Sequence, residues 1–155
     1  MSNWVHISGA ILCNAKQNKQ ETNQELRTRL KKLITNKAPK IKGSEGNADV
    51  FINVCMGYNT WISADCYRCK FKDTIIHKED GGFTCEAEEG FECPDGEYQD
   101  EIIITIADDL RDTNLEQVSK EIDEFIKFVK EEIAYEIRVI SIKAHEDWTG
   151  KERTW

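Results

Sequence analysis

Four cysteines in one 28-residue stretch are the side chains of this 155-residue chain best suited to chemistry. They are Cys66, Cys69, Cys85 and Cys93. Cys66 and Cys69 have the C-x2-C spacing with which two thiolates from one tight turn occupy neighbouring corners of a tetrahedral zinc site. The seven residues between Cys85 and Cys93 exceed the spacing of a zinc knuckle. The stretch predicts one zinc ion held by four thiolates, with disulfides or free thiols as the alternatives.

The other cysteines and the histidines are weaker candidates for a site. His77 lies between the two cysteine pairs and could replace Cys85 or Cys93 as a zinc ligand. Cys13 and Cys55 fall on apolar runs, where cysteine usually behaves as a small buried apolar side chain. His6, His77 and His145 do not form a catalytic triad with any serine or cysteine that the expected topology brings together. We therefore expect no catalytic residues and no enzyme activity.

Length and hydropathy favour a single cytoplasmic domain. A chain of 155 residues can bury a core of its own without a metal or a disulfide. No apolar run approaches the roughly 20 residues of a membrane helix, and the start lacks the basic and apolar stretches of a secretory signal. We therefore expect no membrane contact. In the cytoplasm thiols stay reduced, which favours zinc thiolates over disulfides.

Charge is divided between two blocks of opposite sign. Residues 16–42 hold nine Lys/Arg against two Glu, a net charge of +7, whereas residues 73–101 hold eleven Asp/Glu against one Lys, a net charge of −10. Such blocks are usually solvated faces, although an acidic surface can also imitate a phosphate backbone toward a basic partner. The formal net charge of −8 repels nucleic acid at long range, so we do not expect direct nucleic-acid binding.

Apolar periodicity predicts six regular elements. Helical spacing marks two helices, the first capped by Thr22 or Asn23 and the second by Asp112 or Asn114. Alternation or a buried apolar run marks the strands, and a further extended piece is expected at 61–66. The predicted strands cover 4–13, 48–56, 102–107 and 137–142, and the predicted helices cover 21–36 and 115–133.

The order of these elements predicts an α+β, ferredoxin-like βαββαβ domain spanning residues 1–155. Right-handed crossovers give its antiparallel sheet the strand order 4-1-3-2. An acidic, cysteine-containing insertion over 57–100 separates strands 2 and 3. Residues 144–155 are expected to form a polar tail, whose two tryptophans, Trp148 and Trp155, could anchor an interface.

The predicted strand order brings two loops together at one end of the sheet. The first loop, before strand 2, contains Gly43, Ser44, Glu45 and Gly46, and the second, after strand 3, contains Asp109 and Arg111. The glycines could turn backbone N–H groups toward an anion, with Arg111 as its bidentate partner. The alternative is a tight turn in which Glu45 pairs with Arg111 and joins the two loops.

Three short motifs resemble a family of small bacteriophage accessory proteins of unassigned role. They are Trp4-Val-His-Ile-Ser-Gly-Ala-Ile11, Lys42-Gly-Ser-Glu-Gly46 and Asp109-Leu-Arg-Asp112. The resemblance covers most of the chain outside the insertion. It implies an accessory protein that acts in the host cytoplasm, with a host factor or defence system as its target.

Two classes of function remain. The first is a non-enzymatic interaction protein that binds and modulates a host protein through its acidic insertion or its tryptophans. The second is a protein that binds or sequesters a nucleotide or another small anion through the loops at 43–46 and 109–112. A stoichiometric protein partner would indicate the first class, and a co-purified nucleotide the second.

Overall fold

The protein has an α+β fold with two helices and a five-stranded antiparallel sheet. A computed structural model describes residues 2–16, 21–54, 75–77, 83–85 and 101–155. Its elements are β1 (Trp4–Ala15), α1 (Asn23–Lys37), β2 (Lys42–Gly43), β3 (Gly46–Asn47), β4 (Asp49–Val54), β5 (Ile75–His77), β6 (Phe83–Cys85), β7 (Glu101–Arg111), α2 (Leu115–Phe128), β8 (Ala134–Glu146) and β9 (Glu152–Thr154). A π-helical turn, Val129–Ile133, joins α2 to β8.

The five strands lie in the order β4-β7-β1-β8-β9, and each pair of neighbours is antiparallel. The central strand β1 has no room for a side chain at Gly9, where a Cβ atom would lie 2.2 Å from the Ser141 carbonyl oxygen of β8. Alternation places the apolar side chains of β1 and β7 on one face, so this face carries the core. The buried apolar residues of these two strands are Val5, Ile7, Ile11, Cys13, Ala15, Ile102, Ile104, Ile106 and Leu110.

Helix α1 begins where the sequence predicts. Thr22 is its N-cap, and a capping box joins the Thr22 hydroxyl to the Glu25 N–H and the Glu25 carboxylate to the Thr22 N–H. Spacings of four residues place Leu26, Leu30 and Ile34 on one buried stripe. This stripe attaches the helix to the sheet, while its basic residues remain outside.

Helix α2 is capped by Asn114, one of the two predicted caps, and then widens into the π-helical turn. Phe125, Val129 and Ile133 follow one another at intervals of four residues, and all three are buried. In this last turn the Ala134 N–H donates to the Val129 carbonyl, five residues earlier, as in a π-helix. The predicted helix thus has the expected extent but a different last turn.

Two strands, β7 and β8, are longer than predicted toward the end of the sheet where the two loops meet. β7 continues to Arg111, so Asp109 and Arg111 belong to a strand and not to a loop. Residues 144–155 are not a separate tail, because 144–146 complete β8 and 152–154 return as β9. An exposed edge strand has no buried face, so no apolar alternation marks β9 in the sequence.

The insertion is described only where β5 and β6 pair as a short hairpin. The predicted extended piece at 61–66 lies outside the described residues, as do Cys55, Cys66, Cys69 and Cys93. Cys85 ends β6. Cys13 is buried as predicted, and burial raises the pKa of its thiol to about 12. Among the described residues, no helix has the length and apolar character needed to cross a membrane.

Candidate functional site

The two predicted loops do meet, at a contact that we call the junction. It joins the β2–β3 hairpin, residues 42–47, to the end of β7 and Asp112. The Ser44 N–H donates to the Arg111 carbonyl at 2.8 Å, and the Ser44 hydroxyl donates to Asp112 Oδ2 at 3.0 Å. Arg111 Nη1 donates to Glu45 Oε1 at 2.6 Å. The predicted proximity and the predicted pairing of Glu45 with Arg111 are therefore confirmed.

Gly43 lets the hairpin lie directly on the end of β7. A Cβ atom at this position would lie 2.9 Å from the Arg111 nitrogen and 3.0 Å from the Arg111 carbonyl oxygen. Both contacts are with backbone, which cannot move aside as a flexible side chain can. The absence of a side chain at Gly43 thus serves the packing of two strands.

Arg111 is held by several neighbours within the junction. Besides Glu45, its Nε donates to Ser2 Oγ at 2.9 Å and lies 3.6 Å from Asp112 Oδ2, and its guanidinium lies 5.9 Å from the centre of the Trp4 ring. The hydrogen bond to Glu45, with the charge of Asp112, raises the pKa of Arg111 above its usual value. An anionic ligand at this guanidinium would compete with the Glu45 carboxylate and be repelled by it.

Asp109 faces His6, whereas Glu45 faces Arg111. The two residues are directly opposite on β7 and β1, and His6 Nδ1 lies 2.6 Å from Asp109 Oδ1. His6 Nε2 lies 3.1 Å from Asp147 Oδ1 in the turn after β8. The hydrogen bonds with Asp109 and Asp147 raise the pKa of His6. A neutral imidazole has one N–H, so only the protonated ring can donate to both carboxylates.

His6 belongs to a row of ionisable side chains that crosses four strands. The row consists of Asp109, His6, His145 and Glu152, which are cross-strand neighbours on β7, β1, β8 and β9. The two histidine rings are stacked with their centres 6.3 Å apart. His145 lies 3.6 Å from Asp147 and 3.5 Å from Glu152, longer than hydrogen bonds. Sequence reasoning missed this row because it depends on strand register.

The turn between β8 and β9 presents Trp148 to solvent. The Trp148 side chain is 71% exposed, whereas Trp155 packs against the core and donates its indole N–H to Asp123 at 2.7 Å. The backbone of the turn is tied by the Asp147 N–H to the Trp4 carbonyl at 3.0 Å and by the Gly150 N–H to the Glu146 carbonyl at 2.9 Å. The two predicted interface tryptophans therefore differ, and Trp148 alone of them is largely exposed.

Buried Glu146 anchors the same turn to the body of the domain. Its carboxylate accepts from Asn3 Nδ2 at 2.6 Å and from the Thr149 hydroxyl at 2.6 Å. These hydrogen bonds, led by that of Thr149, lower the pKa of Glu146. Together with the backbone bonds they hold the turn, and with it Trp148, in a defined position.

Within the ranges that the structure describes, no three His, Cys, Asp or Glu side chains are grouped so that they could hold a metal ion. The predicted zinc site falls outside this finding, since three of its cysteines are not among the described residues.

Comparison of the chain with protein-family models, with curated proteins and with solved structures finds no significant match.

Proposed function

We propose that this protein is a non-enzymatic interaction protein that binds and modulates a host macromolecule, as a phage accessory protein would. The observation that carries the proposal is the exposure of Trp148, 71% of whose side chain faces solvent on a turn fixed by hydrogen bonds. Tryptophan is the residue type most enriched among interface hot spots, because it buries a large rigid surface at low entropic cost. A rigidly held, exposed tryptophan is suited to anchor a partner protein.

The charges around Trp148 favour a partner with a basic surface. Asp147 precedes it and is 54% exposed, and Asp109, linked to Asp147 through His6, is 68% exposed. Carboxylates beside an aromatic ring favour lysine or arginine, which can pair with the acids and lie over the ring. The proposed target is thus a host protein whose own site is basic, and a defence factor that binds nucleic acid is one such class.

The geometry of the junction weighs against the alternative, a protein that sequesters a nucleotide or another small anion. The Ser44 N–H, the Ser44 hydroxyl and the Arg111 guanidinium already donate to acceptors of the chain itself. A phosphate at the Ser44 donors would have to replace these partners, and it would lie close to Glu45 and Asp112, which are negatively charged as well. The junction is better explained as a structural contact between two strands.

We also infer a ferredoxin-like topology for the domain. Its support is the order β8-β1-β7-β4, which corresponds to the order 4-1-3-2 of the four long strands counted along the chain. One helix connects β1 to the next long strand, and the other connects β7 to β8. The small β2–β3 hairpin and the edge strand β9 would be additions to that arrangement.

For the insertion we propose that Cys66, Cys69, Cys85 and Cys93 bind one zinc ion and so fix its shape. The support is their clustering in a chain expected in a reducing compartment. Metal analysis of protein purified without chelator should give about one equivalent of zinc. Replacing Cys66 and Cys69 by serine should abolish that zinc and leave the core folded. Four titratable thiols and no zinc would refute the site.

Capture from bacterial lysate tests the interaction directly. Immobilised wild-type protein should retain a partner in stoichiometric amount, and Trp148→Ala should reduce the captured amount at least about tenfold. Tyr135→Ala is the matched control, because Tyr135 is another exposed aromatic side chain, 47% accessible, on the same strand pair but away from the turn. Equal capture by all three proteins would remove Trp148 from the interface. A native mass spectrum showing a bound nucleotide would support the alternative.

A further inference from the structure

A groove lies between α1 and the edge strand β4, away from every site described above. Its volume is about 220 Å³, and α1 contributes Arg27, Lys31 and Ile34 to its lining. From the sheet it is lined by the consecutive residues 50–53 of β4. Successive strand residues point to opposite faces, so a groove lined by four in a row must follow the edge of the strand. The groove thus gives access to the strand backbone.

β4 forms one end of the sheet, and no strand that the structure describes pairs with its outer side. An edge strand presents N–H and C=O groups that can pair with a further extended segment. Phe51, in the middle of β4, is 56% exposed and lines the groove. The edge therefore combines backbone hydrogen-bonding capacity with an exposed aromatic side chain.

The cations of the groove have no counter-charge in the described chain. Arg27 and Lys31 lie four residues apart on one face of α1, where like charges destabilise a helix. Arg29, on the same helix, pairs with Glu21 at 2.7 Å, whereas neither Arg27 nor Lys31 makes an ion pair with the described residues. Placing these two like charges side by side lowers the stability of the helix and contributes nothing to the packing of the core. Binding of an anionic partner would explain why both cations lie there.

We propose that this groove binds an extended acidic segment of another protein, which adds as a strand to β4. Its backbone would pair with the edge, its carboxylates would bind Arg27 and Lys31, and an apolar side chain would contact Phe51. An acidic peptide is favoured over nucleic acid because only a polypeptide backbone can pair with the open edge of β4. The groove and Trp148 lie at opposite edges of the sheet, so the two interactions are independent.

Fluorescence anisotropy with a labelled Glu-Val-Glu-Val-Glu-Val peptide tests the proposal on the full chain. Wild-type protein should bind the peptide, and the double variant Arg27→Glu/Lys31→Glu should weaken binding by about tenfold or more. Lys120→Glu is the control, because it changes charge in the same direction on the exposed face of α2. Failure of the wild type to bind, or equal loss in the control, would overturn the proposal.

A second measurement separates strand addition from simple charge attraction. Hydrogen exchange should slow at the amides of β4 when the peptide binds, and Phe51→Ala should weaken binding without a change in circular dichroism. A peptide that binds with no protection of β4 would overturn strand addition. Tighter binding of a ten-residue oligothymidine than of the peptide would show that the groove is a nucleic-acid site instead.

Discussion

The junction and the β4 groove both combine basic side chains with the backbone of a strand, yet they differ in how their polar groups are used. At the junction, Arg111 and Ser44 bind acceptors within the domain. In the groove, Arg27 and Lys31 make no ion pair with the described residues. The motif that looks most like an anion site in the sequence thus has polar groups that bind within the domain, whereas the two cations of the groove face solvent.

We expect the largest effect at Gly43. If the junction is a structural contact, in contrast to the groove, then disrupting it at Gly43 should destabilise the fold. Gly43→Val should lower the free energy of unfolding by roughly 2 kcal/mol, because its side chain would collide with the backbone of Arg111. Urea denaturation measures the change. Asn47→Val, which adds the same side chain at an exposed position of the same hairpin, should cost far less. Similar losses for both would mean that the hairpin does not depend on close approach.

Arg111→Ala should lower the melting temperature more than Glu45→Ala does, because Arg111 also contacts Ser2, Asp112 and Trp4. The double variant should melt close to Arg111→Ala, since the removed partner is shared. Differential scanning fluorimetry gives the three values. If the Arg111 variant instead melts like the wild type and the protein loses a bound anion, the junction is a ligand site and the contrast with the groove fails.

The stability of the protein should depend on pH through His6. The folded-state pKa of His6 is raised above its usual 6.5, so the stabilisation it provides is fully present below about pH 6.5 and is lost as pH rises through the folded value. Urea denaturation at pH 6 and pH 8.5 should therefore show a loss of stability that His6→Gln removes. An unchanged pH dependence in His6→Gln would show that the pairs with Asp109 and Asp147 contribute little.

The smallest expected effect is in the groove, where substitution of Arg27 should raise the free energy of unfolding and not lower it. Arg27→Glu should raise the free energy of unfolding by about 0.3 kcal/mol, because Glu four residues before Lys31 is a favourable helical pair. Arg27→Gln should give a smaller gain. A loss of stability in both variants would show that Arg27 supports the fold, which would remove the difference between groove and junction.

Apolar periodicity in the sequence predicts much of this fold. The features that it does not predict, the pairing of Asp109 with His6 and strand β9, have no buried apolar face to mark them. Both helices, their caps and the four long strands are marked by apolar spacing, since each element buries a face. The adjacency of Ser44 and Arg111 follows from strand order alone. The pairing of Asp109 with His6 could not be predicted, because a shift of one residue in register would turn either side chain to the other face. β9 escaped prediction because all three of its residues are exposed.

That same strand β9 has a consequence for how copies of the chain meet. β8 has thirteen residues, and without β9 its edge near Lys143 and His145 would be open to the equivalent strand of another molecule. β9 pairs with this stretch but is three residues long and begins with Glu152 and Arg153, which makes it a poor template for further growth. Removing residues 152–155 should therefore promote aggregation, even where the core stays folded.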